Sequence, residues 1–132
     1  MILVDTSVLI DFFRGKNNKP VKKLQTVLDH GISFGITPII YQELLQGALN
    51  GKEFNELKEY LGSQYFYNVL QGNKSYEEAA HIYMRCRKKG FTPRSTIDLI
   101  IVQTAIENKL YLLHNDKDFE QIAKVINNLK LY

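Results

Sequence analysis

The sequence lacks several features that mark specialised classes of protein. It has one cysteine, Cys86, which excludes an internal disulfide and a zinc knuckle and is typical of a reducing cytoplasm. No apolar run approaches the length of a membrane span, and the first residues carry no basic segment ahead of an apolar one, as a secretory signal would. We therefore expect a cytoplasmic protein with no membrane partner.

Common catalytic and nucleotide-binding motifs are also missing. The chain contains none of the motifs GxxxxGK[ST], GxGxxG, GxSxG and HExxH. It therefore lacks the usual signatures of the nucleotide-binding proteins, hydrolases and zinc proteases that carry these motifs. His30 and His81 fall on predicted helices with no acid or nucleophile at a suggestive spacing, and we interpret both as surface or structural residues. There is no internal repeat, low-complexity tract or linker.

The composition is that of an ordinary globular protein. The 132 residues are 45% hydrophobic and 23% charged, and a chain of this length can bury a core. We expect a single domain over residues 1–132. The formal net charge of +3 is mild and identifies no partner by itself.

Predicted strands and helices alternate along the chain. Apolar runs rich in branched or aromatic residues predict five strands, at residues 1–4, 32–36, 64–70, 110–113 and 129–132. Apolar spacing of three and four residues predicts helices between them, begun by residues such as Thr37 and by a capping box formed by Ser75 and Glu78. This alternation is typical of a three-layer α/β fold with a parallel sheet.

Four acids occupy positions that such a fold would bring to one edge of the sheet. Asp5 and Asp116 each follow a buried apolar strand. Asp98 lies in the first turn of the most apolar helix, and Glu43 lies about a turn inside its own helix. Because ligands of open α/β sheets bind at the carboxyl ends of the strands, the pattern predicts an acidic pocket there.

Each acid also has a simpler structural interpretation. Asp5 would serve as the N-cap of the first helix, and Asp98 completes a capping box with Ser95. Asp116 and Asp118 would be turn and cap residues. Glu43 lies too deep in its helix to cap it, so its structural interpretation is a half-exposed surface acid.

A pocket of clustered carboxylates must hold protons or bind a cation, because like charges repel. Ligand sets made only of oxygen favour Mg²⁺ or Mn²⁺ over zinc. Such ions activate water and screen the charge that develops on a phosphate during hydrolysis. If the acids converge, the sequence therefore predicts metal-dependent chemistry.

Three segments resemble the three motif regions of the PIN domain, and specifically those of VapC-type toxin ribonucleases. They are MILVDTSVLIDFF, ITPIIYQELLQGA and STIDLIIVQTAIENKLYLLHNDKDF, and they occur in the family's order across almost the whole chain. The resemblance implies a PIN-like α/β/α fold whose parallel sheet has the order 3-2-1-4-5. It also implies an endoribonuclease that depends on Mg²⁺ or Mn²⁺ and acts as the toxin of a VapBC-type pair. The alternative is a catalytically idle PIN-like module that binds RNA or protein.

The resemblance also implies roles for individual residues. The implied catalytic acids and metal ligands are Asp5, Glu43, Asp98 and Asp116. Asp118 is a further candidate ligand, and Ser7 resembles the hydroxyl that supports the pocket. The chain departs from the family at His114, where Thr or Ser is usual, so the hydrogen bonds at this position stay open.

An acidic pocket repels RNA, so contacts with phosphates have to come from cations outside it. The candidates that lead into the Asp98 helix are Arg85, Arg87, Lys88, Lys89 and Arg94. Arg14, Lys16 and Lys19, after the first helix, are further candidates. In the simpler interpretation these cations are solvated helix ends stabilised by the helix dipole.

Apolar side chains on the early helices exceed what one face of a small core needs. They are Phe12, Phe13, Phe54, Leu57, Tyr60 and Leu61. By resemblance, they would form a groove for the C-terminal segment of an antitoxin, a small DNA-binding protein. The same resemblance implies a homodimer.

Overall fold

The computed structural model describes residues 1–132. The five strands are β1 Ile2–Val4, β2 Gly35–Ile36, β3 Tyr65–Phe66, β4 Tyr111–Leu113 and β5 Lys130–Leu131. The seven helices are α1 Thr6–Phe13, α2 Lys19–Asp29, α3 Pro38–Gln46, α4 Gly51–Gly62, α5 Asn73–Lys88, α6 Thr96–Glu107 and α7 Lys117–Val125. None of these helices is long and apolar enough to cross a bilayer.

The strands form one parallel sheet in the order β3-β2-β1-β4-β5. The first strand is central, because Leu3 pairs with Gly35 of β2 on one side and with Leu112 of β4 on the other. The predicted α/β class and the strand order implied by the resemblance are both confirmed. Asp5 therefore follows the middle strand of the sheet.

The helices form two groups, one on each face of the sheet. From β1 the chain moves outward through α1 to α4, which pack on one another, and then returns through α5 and α6 to β4. Since crossovers between parallel strands are right-handed, this reversal places α5 to α7 on the opposite face. The switch point lies between β1 and β4, where such sheets bind their ligands.

The core explains why these segments form the inner elements. Leu3 and Val4 of β1 are fully buried, as are Leu112 and Leu113 of β4. At Gly35 of β2, a side chain would collide with the ring of Tyr67. The central strands are therefore held between two helical layers. Gly35 lies where the ring of Tyr67 passes close to β2.

Some predicted boundaries are wrong. The second and third strands are reduced to two residues each, because the flanking residues leave the ladder. The capping box at Ser75 does not form, since α5 begins earlier, after Gly72, which has a φ of 56°. Ser75 is instead fully buried, and its hydroxyl accepts a bond from the Gln71 amide and donates one to Glu107.

Candidate active site

Asp5 is buried at the carboxyl end of β1, with 6% of its surface exposed. Its backbone amide donates to the Leu113 carbonyl at 2.9 Å, so the residue still belongs to the β1–β4 ladder. Its Oδ2 accepts bonds from the Ser7 amide at 3.0 Å and the Ser7 hydroxyl at 2.6 Å. Burial raises the pKa of Asp5, and the bonds from Ser7 partly oppose that rise. Asp5 is thus both a helix cap and a buried acid.

Glu43 lies on α3 and is tied to the start of α1. Its Oε1 accepts a hydrogen bond from the Thr6 hydroxyl at 3.0 Å. Because Thr6 follows Asp5 directly, this bond brings the second acid toward the end of β1. Sequence reasoning assigned Thr6 only to the polar start of α1 and missed its contact with Glu43.

Asp98 is the acid on which the charges of the others act. Its amide donates to the hydroxyl of the N-cap residue Ser95 at 3.4 Å, so α6 begins as predicted. Burial and the charges of the surrounding acids raise the pKa of Asp98 to about 7. Those surrounding acids are, in order of effect, Asp5, Asp116, Asp118 and Glu43. The four other predicted acids therefore all lie within electrostatic reach of Asp98.

Asp116 and Asp118 lie at the start of α7 and are bound by one arginine. Asp116 is the N-cap, since its Oδ1 accepts a bond from the Asp118 amide at 2.9 Å. Arg94 lies 3.3 Å from Asp116 through Nη2 and 3.1 Å from Asp118 through Nε. The Arg94 amide also donates to Asp118 Oδ2 at 3.2 Å. The loop before α6 is thereby joined to the start of α7.

Ser7 connects the first acid to the loop after β4. Its hydroxyl donates to Asp5 and accepts a bond from the Asn115 amide at 3.0 Å. The Asn115 side chain donates to Asp11 Oδ2 at 3.1 Å. Sequence reasoning missed Asp11 and Asn115, although Asp11 lies one helical turn after Ser7, on the same side of α1.

His114 accepts a hydrogen bond from the Asp116 amide through Nδ1, at 3.1 Å. Its ring packs against Phe119 with 5.4 Å between ring centroids, and burial lowers the pKa of the imidazole. A ring nitrogen that accepts a bond is unprotonated. The hydroxyl of Ser or Thr also accepts bonds, so this contact explains how histidine can replace the residue usual in the family.

The donor chemistry of the pocket suits a hard divalent ion, because the five acids offer only carboxylate oxygens. As the side chains are placed, however, no three His, Cys, Asp or Glu residues come close enough together to hold one ion. Four of the acids are instead oriented by three donors: Ser7 holds Asp5, Thr6 holds Glu43, and Arg94 holds both Asp116 and Asp118. The metal-ligand assignment of these acids, including Asp118, stays a prediction.

Of the basic candidates before α6, only Arg94 is bonded to the acids. Arg85 donates to the Val125 carbonyl at 3.4 Å, at the end of α7 opposite to Asp116. The nine residues of α7 separate the two positions by about 13 Å. Arg87 lies over the Tyr83 ring at 5.5 Å, and neither Lys88 nor Lys89 forms an ion pair.

Two clefts are lined by residues that the sequence analysis singled out. One, of about 520 Å³, adjoins Asp116 and contains the side chains of Lys19, Lys23 and Lys117. The other, also about 520 Å³, runs between α1 and α4 and contains three of the predicted groove residues, namely Phe13, Leu57 and Tyr60. Leu61, by contrast, is fully buried in the core.

The fold and the acids together define an open α/β protein with a cluster of acids at the switch point of its sheet. The chain belongs to the PIN domain family, whose sequence model matches residues 2–125. It is 30% identical over 128 residues to the VapC ribonuclease Mb1587 of Mycobacterium bovis, a match that covers 96% of this chain and 95% of that protein. Ribonuclease VapC11 of Mycobacterium tuberculosis matches to the same extent.

Solved structures agree with this fold. The chain resembles a chain of VapBC2 from Rickettsia felis, solved bound to a promoter DNA fragment, with a TM-score of 0.74 and 18% identity over 100% of this chain and 98% of that one. It also resembles a chain of a toxin–antitoxin complex from Klebsiella pneumoniae, with a TM-score of 0.70 and 23% identity over 99% of this chain and 100% of that one.

Proposed function

We propose that the protein is a metal-dependent endoribonuclease and the toxin of a VapBC-type toxin–antitoxin pair, acting in the cytoplasm as a single PIN domain over residues 1–132. The observation that carries this proposal is the convergence of Asp5, Glu43, Asp116 and Asp118 on Asp98, at the switch point of a PIN sheet. The alternative, an idle binding module, gives no reason to gather acids that repel one another.

We assign Asp5, Glu43, Asp98 and Asp116 as the residues that would hold Mg²⁺ or Mn²⁺. Bound there, the ion supplies an activated water and stabilises the charge that develops on the scissile phosphate. The protein contributes orientation, since Ser7 fixes the carboxylate of Asp5 and Thr6 fixes that of Glu43. Without the ion, burial and the charges of the neighbouring acids raise the pKa of Asp98 to about 7, so a bound cation would favour the charged form of this carboxylate.

RNA would enter along the carboxyl edge of the sheet. Lys19 and Lys117 line the same cleft as Asp116, where they would contact phosphates that flank the cut. Such contacts attract RNA toward a pocket that repels it. The other predicted basic residues, Arg85, Arg87, Lys88 and Lys89, lack any bond to the acids and would contact RNA only farther from the cut.

The cleft between α1 and α4 is the surface that we assign to the antitoxin. Phe13 and Tyr60 pack edge to face there with 5.8 Å between ring centroids, and both are exposed. Similarity to VapC ribonucleases and to chains of toxin–antitoxin complexes, one of them solved with promoter DNA, supports an antitoxin partner. That this partner is a small DNA-binding protein and that the toxin is a homodimer are expected from the family resemblance alone.

Cleavage of RNA with and without metal tests the proposed chemistry. The purified protein should cut RNA with Mg²⁺ or Mn²⁺ and stop when EDTA removes the ion. Asp5→Asn keeps the shape and capping ability of the side chain but loses a ligand charge, so it should abolish cleavage. Asp29→Asn, at the exposed end of α2, is the matched control and should cut normally. Full cleavage by Asp5→Asn, or cleavage that persists in EDTA, would contradict the metal mechanism.

A further inference from the structure

Arg94 and Asp118 form a unit that is distinct from the other acids of the pocket. One carboxylate oxygen of Asp118, Oδ2, accepts bonds from both the amide and the Nε of Arg94, at 3.2 and 3.1 Å. The Asp118 side chain is only 9% exposed, whereas that of Arg94 is 74% exposed. The pair therefore consists of a buried anchor and a cation presented at the surface.

The placement of this cation leaves most of its hydrogen-bond donors free. A guanidinium carries five N–H groups, and Arg94 uses one on Nε for Asp118 and one on Nη2 for Asp116. The remaining donors, including both on Nη1, form no hydrogen bond with these carboxylates. Two parallel N–H groups of a planar guanidinium match two oxygens of a phosphate.

We propose that Arg94 binds a phosphate of the RNA substrate, and that Asp118 acts in the reaction by positioning Arg94 and not as a ligand of the metal ion. This inference rests on the proposed ribonuclease function. Asp118 is already paired with the guanidinium of Arg94, so the pair adds little net negative charge to attract a divalent ion. Asp116 differs, since its contact with Arg94 is longer, at 3.3 Å, and its side chain is 30% exposed.

An arginine held in this way is suited to bind an anion in a pocket of acids. Its side chain is ordered before RNA arrives, so less conformational entropy is lost on binding than for a free surface cation. A purely structural Arg94, in contrast, would only tie the loop before α6 to α7.

Binding measurements separate these roles without relying on turnover. RNA affinity is measured in EDTA with a short fluorescent oligonucleotide across a salt series, and Mn²⁺ affinity is measured by calorimetry without RNA. Arg94→Gln should weaken RNA binding about tenfold and reduce the slope of log affinity against log salt by about one. Arg94→Lys keeps the charge but loses the fork, so it should keep the slope while recovering only part of the affinity.

Asp118→Asn tests the positioning role. It should weaken RNA binding by a similar factor, and the double variant with Arg94→Gln should be no weaker than Arg94→Gln alone, because the two residues act as one unit. Its Mn²⁺ affinity should stay within about twofold of that of the native protein, whereas Asp98→Asn should lose at least about tenfold. Lys58→Gln, an exposed charge on α4, is the control for loss of one cation and should leave RNA affinity unchanged.

Several results would overturn the inference. If Asp118→Asn loses Mn²⁺ affinity as strongly as Asp98→Asn, Asp118 is a metal ligand. If Arg94→Gln lowers the melting temperature but leaves both RNA affinity and salt slope unchanged, Arg94 is structural. In either case cleavage that requires metal and Asp5 would leave the proposed function intact. If the native protein neither binds nor cuts RNA, both the inference and the proposed function are wrong.

Discussion

At the scale of the residue, Asp98 differs from an ordinary acid at the start of a helix. The N-cap of α6 is Ser95, whose hydroxyl accepts a hydrogen bond from the Asp98 amide. The carboxylate of Asp98 is therefore not needed for capping. What distinguishes the carboxylate is its surroundings, which raise its pKa to about 7 through burial and through four neighbouring negative charges. The folded protein therefore holds a proton on Asp98 that the unfolded chain would release.

This proton makes the stability of the metal-free protein depend on pH. A pKa raised on folding gives stability that is fully present below the unfolded value, near 4, and is lost as the pH rises through 7. Asp98→Asn resembles the protonated acid, so in EDTA it should match the native protein at pH 4 and be more stable at pH 8. We expect a difference of about 1–2 kcal/mol, discounted for the partial exposure of the group.

Thermal melts of both proteins between pH 4 and pH 8 check this prediction, with Asp29→Asn as the control. A difference that is the same at every pH would show that Asp98 does not hold the proton. Added Mg²⁺ at pH 8 should then raise the melting temperature of the native protein more than that of Asp98→Asn, because only a bound ion stabilises by mass action.

At the scale of the element, α5 and α6 are joined by a network around Glu107. The carboxylate of Glu107, at the end of α6, accepts bonds from the Leu70 amide at 2.6 Å, the Ser75 hydroxyl at 3.0 Å and Gln103 at 2.7 Å. These bonds attach the segment before α5 to the helix that carries Asp98. Although burial opposes it, the three donors lower the pKa of Glu107.

Removing this carboxylate should loosen the two helices without touching the acidic pocket. We expect Glu107→Ala to lower the free energy of unfolding by about 1–3 kcal/mol at pH 7, because it leaves three donors unpaired. Since the pKa of Glu107 is lowered on folding, part of this difference should vanish as the pH falls below 4. Urea titrations at pH 7 and pH 3.5 measure it, with exposed Glu59→Ala as the control. Equal stability of Glu107→Ala and the native protein at pH 7 would contradict the role.

The same region shows why sequence patterns predict some elements better than others. The strand that ends at Asp5 and the helix capped by Thr37 are encoded locally, by apolar runs and by caps within three residues. Ser75 carries an equally good local signal, but its hydroxyl is used by Glu107, 32 residues away. A capping pattern cannot reveal that a distant carboxylate competes for the same hydroxyl.

The candidate site was likewise predictable from the sequence only in part. Asp5, Asp98, Asp116 and Asp118 were predicted because each follows a strand or lies at the start of a helix, and the sheet order then places those positions at one edge. Glu43 lies a turn inside its helix, and its role was implied only by the family resemblance. The partners that orient them, such as Thr6 on Glu43 and Asn115 on Ser7, depend on side-chain directions across 37 and 108 residues. No spacing in one sequence encodes such contacts, so they required the structure.

At the scale of the whole molecule, the cleft between α1 and α4 lies apart from the acids. Tyr60 is exposed there and packs on Phe13, so a charge at this position should disrupt a partner surface without entering the core. We expect Tyr60→Glu to abolish co-purification with the product of a neighbouring small open reading frame, while cleavage of RNA by the isolated protein is retained. The physical reason is the unfavourable burial of an unpaired carboxylate at an interface.

Pull-down of the co-expressed pair measures this effect, and Tyr76→Glu, at a more exposed tyrosine on α5, is the control. Retention of the partner by Tyr60→Glu would exclude this cleft as the antitoxin surface. Loss of cleavage in the same variant would instead indicate that the cleft contributes to the reaction.

The central position of β1 has a consequence for how the protein folds during its synthesis on the ribosome. Residues 2–4 leave the exit tunnel more than a hundred residues before Tyr111–Leu113, the strand with which they form their longest ladder. Until β4 has left the tunnel, Asp5 lacks its hydrogen bond to Leu113. Asn115 and Asp116, which follow β4, are then also missing from the site. Such distant pairing is slow and comes late in folding. A nascent chain from which β4 has not yet emerged therefore cannot assemble the acids of the site.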